Sequence, residues 1–538
     1  MKQLAPAPSP GTILPSLLDI TLDDIAAGLD HGRFTVVDLV RAYIKRIGEV
    51  DDHFRSIIEI NPDAEAIAQS LDAEIKTTGR RGPLHGVPII LKDNIVTLDK
   101  MEATAGSFIL LGAKPANEST VAANLRRAGC VLLGKAALSE WANYRWTNAP
   151  SGWNARRGQC TGAFYPNMKA SGSSTGSAVA TSLGLCFAAI GTETDGSVCH
   201  PAGKASLIGL KSSPGLISRD GTIPGSDRVD AIGVFARNVK DSATILSFAA
   251  GKSGRDPLTN DIPFDKIPDY TVACAGTDLH GIKIGVPTTA IGPVEPEEAE
   301  SFWVALSELK ELGAEIVHDV GFLAEEDWKA LTPRQRRMIT QGDLSSSIEA
   351  YLKTLATNPL GLQTLQDITE LTKKDPREDF PNHDVESFEF SLFIDRESQE
   401  FKELEALRDF INREAGMKGA MDRHQLDVLV TPTCSAVPVT FASLERSPIL
   451  SFPLGFYPPD KAIQKDPKGD LITVGPGIPY PICFYARRFA EDTLLKVAYA
   501  FEKAHNKGSF QLYMLPDTDL EQVVRDRVSR LGERGSKV

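Results

Sequence analysis

Short, unbroken apolar runs alternating with amphipathic stretches constrain this chain more than anything else in it. Residues 87–91 read Val-Pro-Ile-Ile-Leu, 130–133 Cys-Val-Leu-Leu and 185–190 Leu-Cys-Phe-Ala-Ala-Ile. Runs of this length, apolar throughout, are candidates for buried strands. Helical patterns lie around them. Thr21-Leu-Asp-Asp24 and Thr35-Val-Val-Asp38 each place an N-cap residue before an acid in the first turn. Ile25 and Leu29, then Leu39, Tyr43, Ile44 and Ile47, follow at helical spacing. Residues 119–128 read as a helix ended by Gly129, and 176–183 as a helix of small residues. Short strands alternating with helices predict an α/β class with layered architecture.

The pattern loosens beyond residue 250. Strands are still expected at 281–286 and 315–318 around a helix at 298–312. Residues 320–425 are charged and mostly helical in pattern, with no repeat of fixed period. No linker is strong enough to divide the chain. The expectation is one domain over 1–538, with a helix-rich variable insertion at about 320–425.

Charge and motif content narrow the function. The net charge is −13, from 58 basic and 71 acidic residues, and the basic residues are scattered. That lacks the electrostatic footprint of a nucleic-acid binder. Residues 1–18 hold one lysine and four prolines without a continuous apolar segment, so no secretion signal is read there. The most apolar stretch, 178–190, is too short to cross a bilayer. Seven cysteines without a CxxC suit free thiols in a reducing compartment, hence a cytoplasmic location. Nine histidines without HExxH give no zinc signature. No metal, cofactor, membrane or nucleic-acid partner is expected.

Lys92 closes the run at 87–91. Lysine is rarely buried alone, and a lysine at the end of a buried strand can lose its charge by desolvation. A neutral amine is a usable base near neutral pH. Ser197 follows the polar turn Gly191-Thr-Glu-Thr-Asp-Gly-Ser197, after a predicted strand. Backbone N–H groups converging there could hold an oxyanion, and Pro201 suits the start of a short helix behind it. Ser173, within Ser171-Gly-Ser-Ser-Thr-Gly-Ser177, could relay a proton between Ser197 and Lys92. The same stretch also fits G-x-S-x-G, with Ser174 as the nucleophile of an α/β-hydrolase-type esterase and His200, His280, His318 or a later histidine completing a Ser-His-Asp triad. That alternative lacks a good strand before the serine. Ser307-Glu-Leu-Lys310 matches S-x-x-K, but inside a predicted helix and without partner motifs. No Gly-Lys-Ser/Thr follows the glycine-rich loop, so a phosphate-binding loop is excluded.

These residues lie in segments that resemble the amidase signature family. The resemblance is carried by Gly86-Val-Pro-Ile-Ile-Leu-Lys-Asp93, Gly134-Lys-Ala-Ala-Leu-Ser-Glu-Trp-Ala-Asn143, Gly172-Ser-Ser-Thr-Gly-Ser177, Gly191 to Ser197 with Pro201-Ala202, and Ile208-Gly-Leu-Lys211. A last block holds Arg487-Arg-Phe, Thr493-Leu-Leu and Ala498-Tyr-Ala-Phe-Glu502. The recognisable core spans about 20–250 and 425–505. The resemblance implies a large mixed β-sheet sandwiched between helices. It implies an amidohydrolase cleaving a carboxamide C–N bond through a Ser–cis-Ser–Lys triad: Ser197 as nucleophile, Ser173 beside a cis peptide as bridge, Lys92 as base. The N–H groups of Thr194, Asp195, Gly196 and Ser197 would form the oxyanion hole. An intact Lys92, Ser173 and Ser197 argues against an inactive, merely binding relative. Glu193, Asp195 and Cys199 depart from the commoner family pattern and resemble the peptide-amidase branch, as do Leu138-Ser-Glu-Trp-Ala-Asn-Tyr144 and Ser151-Gly-Trp-Asn-Ala-Arg-Arg-Gly-Gln159. The implied substrate is a small amide or peptide amide, for a monomer or homodimer.

Overall fold

The computed structural model describes residues 14–148 and 150–505. Residues 1–13 of the stretch read above for a secretion signal lie outside them.

An 11-stranded mixed sheet forms the centre of the molecule. Its order is Ile57–Ile60, Val131–Ala136, Pro88–Lys92, Ala188–Glu193, Ala231–Ala236, Ile208–Lys211, Ile449–Phe456, Pro479–Ala486, Val428–Pro432, Lys283–Gly285 and Glu315–Val317. The three apolar runs of the sequence become three adjacent parallel strands, with Ile89 opposite Leu132 and Leu91 opposite Ile190. Every residue of Pro88–Lys92, Val131–Ala136 and Ala188–Glu193 is buried, as expected where helices cover both faces of a sheet.

Strand alternation divides the core. In Pro479–Ala486, Ile482, Phe484 and Ala486 belong to the main core. Cys483 and Tyr485 point the other way, into a second core shared with helices of the 320–425 region. A third apolar cluster joins Leu138, Trp141 and Tyr144 to Ile348, Leu365 and Phe388. The region 320–425 is thus largely helical, as its pattern predicts, and packs on the main sheet and on the loops beside it.

The expected caps are present. Thr21 and Thr35 open helices Leu22–Asp30 and Val36–Phe54, each with a reciprocal capping box to Asp24 or Asp38. Ser119 caps helix Thr120–Arg127. Pro201 lies in the helix Cys199–Lys204 that follows the Ser197 loop, although the helix starts two residues earlier. Six strands of the sheet were not anticipated, Ile57–Ile60, Ile208–Lys211, Ala231–Ala236, Val428–Pro432, Ile449–Phe456 and Pro479–Ala486, nor was the short pair Leu355–Thr357 and Lys114–Pro115. Neither strand of that pair carries a periodic apolar signal, because each is only two or three residues long. None of the described helices is long and apolar enough to cross a membrane.

Candidate active site

Lys92 is the last residue of Pro88–Lys92 and has no solvent exposure. Sheet pairing sets its neighbours. Because Leu91 sits opposite Ile190, the next turn of the adjacent strand brings Thr192 beside the lysine. Lys92 Nζ donates to Ser173 Oγ at 2.7 Å, to Thr192 Oγ1 at 2.8 Å and to the Thr192 carbonyl at 3.1 Å. Asn94 Nδ2 holds Thr192 Oγ1 in place at 3.0 Å. All three acceptors of the lysine are uncharged. Burial pulls its pKa from 10.5 down to about 7, against the opposing pull of the Asp230 and Glu193 carboxylates.

Ser173 is fully buried and follows a cis peptide bond from Gly172. Its carbonyl accepts from Ser139 N–H at 3.0 Å. Gly172 is required here: a Cβ would lie 2.6 Å from Ser139 Oγ. The next residue ties the two serine loops together, because Ser174 N–H donates to the Ser197 carbonyl at 3.2 Å.

Ser197 is 7% exposed, at the mouth of the loop that leaves Ala188–Glu193. Glu193 shapes this loop from inside. Its carboxylate accepts from Val198 N–H at 2.5 Å and Cys199 N–H at 3.0 Å, satisfying the first donors of helix Cys199–Lys204. Gly196 has φ +80°, and a Cβ there would strike the His200 ring at 2.3 Å. Thr194 Oγ1 donates to Asp230 at 2.5 Å, and Asp230 in turn accepts from Gly225 and Ser226 N–H. The loop is therefore fixed at both ends by carboxylates. Among the described residues, the N–H groups of Thr194, Asp195, Gly196 and Ser197 meet no acceptor. Four successive free donors in a fixed loop can stabilise an anion.

The amidase family model matches residues 38–495, most of the chain and all of the elements just described. The chain belongs to the amidase signature family. A protein of Arthroderma benhamiae, provisionally named an amidase, is 38% identical to this amidase over 537 residues, covering 95% of this chain and 90% of its own. A provisionally named amidase of Arabidopsis thaliana is 32% identical over 500 residues, covering 91% and 90%. Among solved structures, the native peptide amidase of Stenotrophomonas maltophilia superposes with a TM-score of 0.79 at 31% identity, covering 91% of this chain and 99% of that one. The amidase is accordingly an amide-hydrolysing enzyme with the large mixed sheet of its family.

Beside the Thr194–Ser197 loop of this amidase lies an internal cleft. Asp195, Thr440, Thr340, Asp343 and Arg408 line it. Asp195 borders this recess and keeps accessible surface. Burial there raises its pKa to about 6, against the bond it accepts from Thr440 Oγ1 at 3.0 Å. Trp141, Tyr144 and Trp146 are buried. Trp153 stacks on His383 with ring centroids 3.5 Å apart. Phe452 is in the core against Phe501.

The rival nucleophile is otherwise engaged. Ser174 Oγ donates to the Thr192 carbonyl at 3.0 Å and accepts from Thr192 N–H at 3.3 Å, both buried. No histidine hydrogen-bonds to it among the described residues. His200 Nε2 pairs with the Cys434 carbonyl, His280 is an exposed partner of Asp278, and His318 lies near Trp303. Ser307 Oγ donates to the Trp303 carbonyl within helix Pro296–Glu311. Sequence reasoning named Lys92, Ser173 and Ser197 but missed Thr192, Asn94 and Asp230. Their role depends on strand register and a long-range turn, which local spacing does not reveal.

Proposed function

We propose that this amidohydrolase works through Ser197, Ser173 and Lys92. The observation that carries the reading is a fully buried lysine, held near neutrality, 2.7 Å from a serine hydroxyl. A neutral amine has two N–H donors and one lone pair. In the neutral form the Thr192 carbonyl and Oγ1 keep the two hydrogens, and the 2.7 Å bond to Ser173 reverses, the Ser173 hydroxyl donating to the Nζ lone pair. Ser173 gives its proton to Lys92 Nζ as it takes one from Ser197 Oγ. The Ser197 oxygen attacks the amide carbon. The oxyanion that forms is held by the free N–H groups between Thr194 and Ser197. Collapse expels the amine or ammonia, which receives the proton back through Ser173. Water then attacks the acyl ester along the same proton path, and a carboxylate leaves. Lys92 begins and ends neutral.

The substrate class we propose is a small linear carboxamide or a C-terminally amidated peptide. The likeness to the Stenotrophomonas peptide amidase supports it. We further propose that the chain acts as one catalytic unit. Arg145 supports this by bonding Glu378 of the helical region, as does the pairing of Ser226 with Asp343. The test is a panel of amidated peptides and simple amides, read by ammonia release and by the mass of the free acid. Release of ammonia with matching acid is expected. Turnover of esters alone, with every amide inert, would overturn the reading.

A further inference from the structure

Behind the nucleophile loop lies a cluster of thiols that the amidase chemistry does not use. Cys199 starts the helix after Ser197, Cys434 follows strand Val428–Pro432, and Cys483 lies in Pro479–Ala486. Chain separation hides the cluster from any sequence motif. Strand order assembles it, because Val428–Pro432 and Pro479–Ala486 are neighbours and Thr431 sits opposite Cys483. The ligand atoms of Cys199, His200 and Cys434 all lie within 4.8 Å of one another. Cys434 Sγ is 2.9 Å from Cys483 Sγ. All the cysteines are free.

We infer that Cys199, Cys434 and His200, with Cys483 as a fourth ligand, form a site for one soft divalent cation such as Zn²⁺ or Cd²⁺. Thiolate sulfur with imidazole nitrogen is the donor set such ions prefer. In a tetrahedral site with Zn–S near 2.3 Å, sulfurs stand about 3.8 Å apart. The ligand atoms of Cys199, His200 and Cys434 lie within 4.8 Å of one another, so about 1 Å of side-chain movement brings them to that spacing. Cys483 reaches it by retreating about 1 Å from Cys434, a small turn about its Cα–Cβ bond. Cys434 and His200 are half-buried, which leaves an entry path, while Cys199 and Cys483 are buried. All three cysteines lose their protons to solvent on binding, and the dication offsets two of the three thiolate charges, leaving a net −1 at the site. Glu193, whose carboxylate stands 3.9 Å from Cys199 Sγ, adds attraction for a cation.

The site reaches the oxyanion loop through His200, whose ring lies where a Gly196 Cβ would be. A cation that draws His200 toward the sulfurs removes the ring from against Gly196 and loosens the loop that presents Ser197. Binding the cation therefore silences the amidase reversibly. This consequence rests on the proposed role of Ser197; the binding itself does not.

The test uses the full chain, reduced and freed of metal. Cd²⁺ titration should give a stoichiometric ultraviolet sulfur-to-cadmium charge-transfer band. That band should persist in Cys130→Ser and be lost in Cys434→Ser and Cys199→Ala, each checked for folding by circular dichroism. Zn²⁺ should compete for the site and remove most of the rate of Ser197 labelling by a fluorophosphonate, with recovery on adding a chelator. A band absent from the wild type, or equal in Cys434→Ser, overturns the site. So does a Cys434–Cys483 disulfide that forms with no cation retained by the reduced protein. Normal cation binding without any change in labelling overturns only the coupling to the loop.

Discussion

The proposed role of Lys92 as base sets the demands on every residue around it. Lys92 must be deprotonated to act, so its surroundings hold no contacting carboxylate, and Asp230 and Glu193 act only from a distance. The free enzyme should therefore gain amidase activity, as kcat/KM, as pH rises through about 7, the value to which burial brings Lys92. Lys92→Ala should lower turnover by about 10²–10⁴-fold, the range for removing a general base, with an unchanged circular dichroism spectrum. Stability has its own sign. Between about 7 and 10.5 the unfolded lysine holds a proton that the folded one lacks. Folding stability should rise with pH through that window, and Lys92→Met should remove that rise, as read by urea unfolding at several pH values. The lysine and both serines were legible in the sequence because each sits inside a local motif. Thr192, only five positions before Ser197, was not, because its bond to Lys92 comes from a neighbouring strand.

Elements act here mainly by fixing loops. Glu193 ends its strand and caps the next helix, so one carboxylate sets the path of the chain through Ser197. Glu193→Ala would leave two buried N–H groups without partners. It should lower kcat more than it raises KM, because the oxyanion donors lose their aim. A second device joins loop to helical region. Arg145, fully buried, bonds Glu140 at 2.6 Å, Glu378 at 2.9 Å and the carbonyls of Glu378 and His383. Removing its charge strands two buried carboxylates. Arg145→Leu should cost about 3–5 kcal/mol of stability in denaturant melts. The helices opened by Thr21, Thr35 and Ser119 and the strands at Pro88–Lys92, Val131–Ala136 and Ala188–Glu193 were expected within a few residues of where they lie. This network was not, since residues 140, 145 and 378 share no local pattern.

At the scale of the whole molecule, the sequence foretold the α/β class and the helical character of 320–425. It did not foretell the sheet order that makes the active site. Parallel neighbours Pro88–Lys92 and Ala188–Glu193 bring Lys92 and Thr192 together, and the turn beyond them sets Ser197 against the Ser173 loop. Pairing across long chain separations decides that, and no motif encodes it alone. The central claim is that Ser197, activated through Ser173 and Lys92, forms the acyl-enzyme. Its most direct test is mass spectrometry of the protein after a fluorophosphonate, with the labelled peptide mapped. A single adduct on Ser197, absent in Ser197→Ala and slowed in Lys92→Ala, is the result expected. An adduct on Ser174, or labelling that survives Ser197→Ala unchanged, would contradict it.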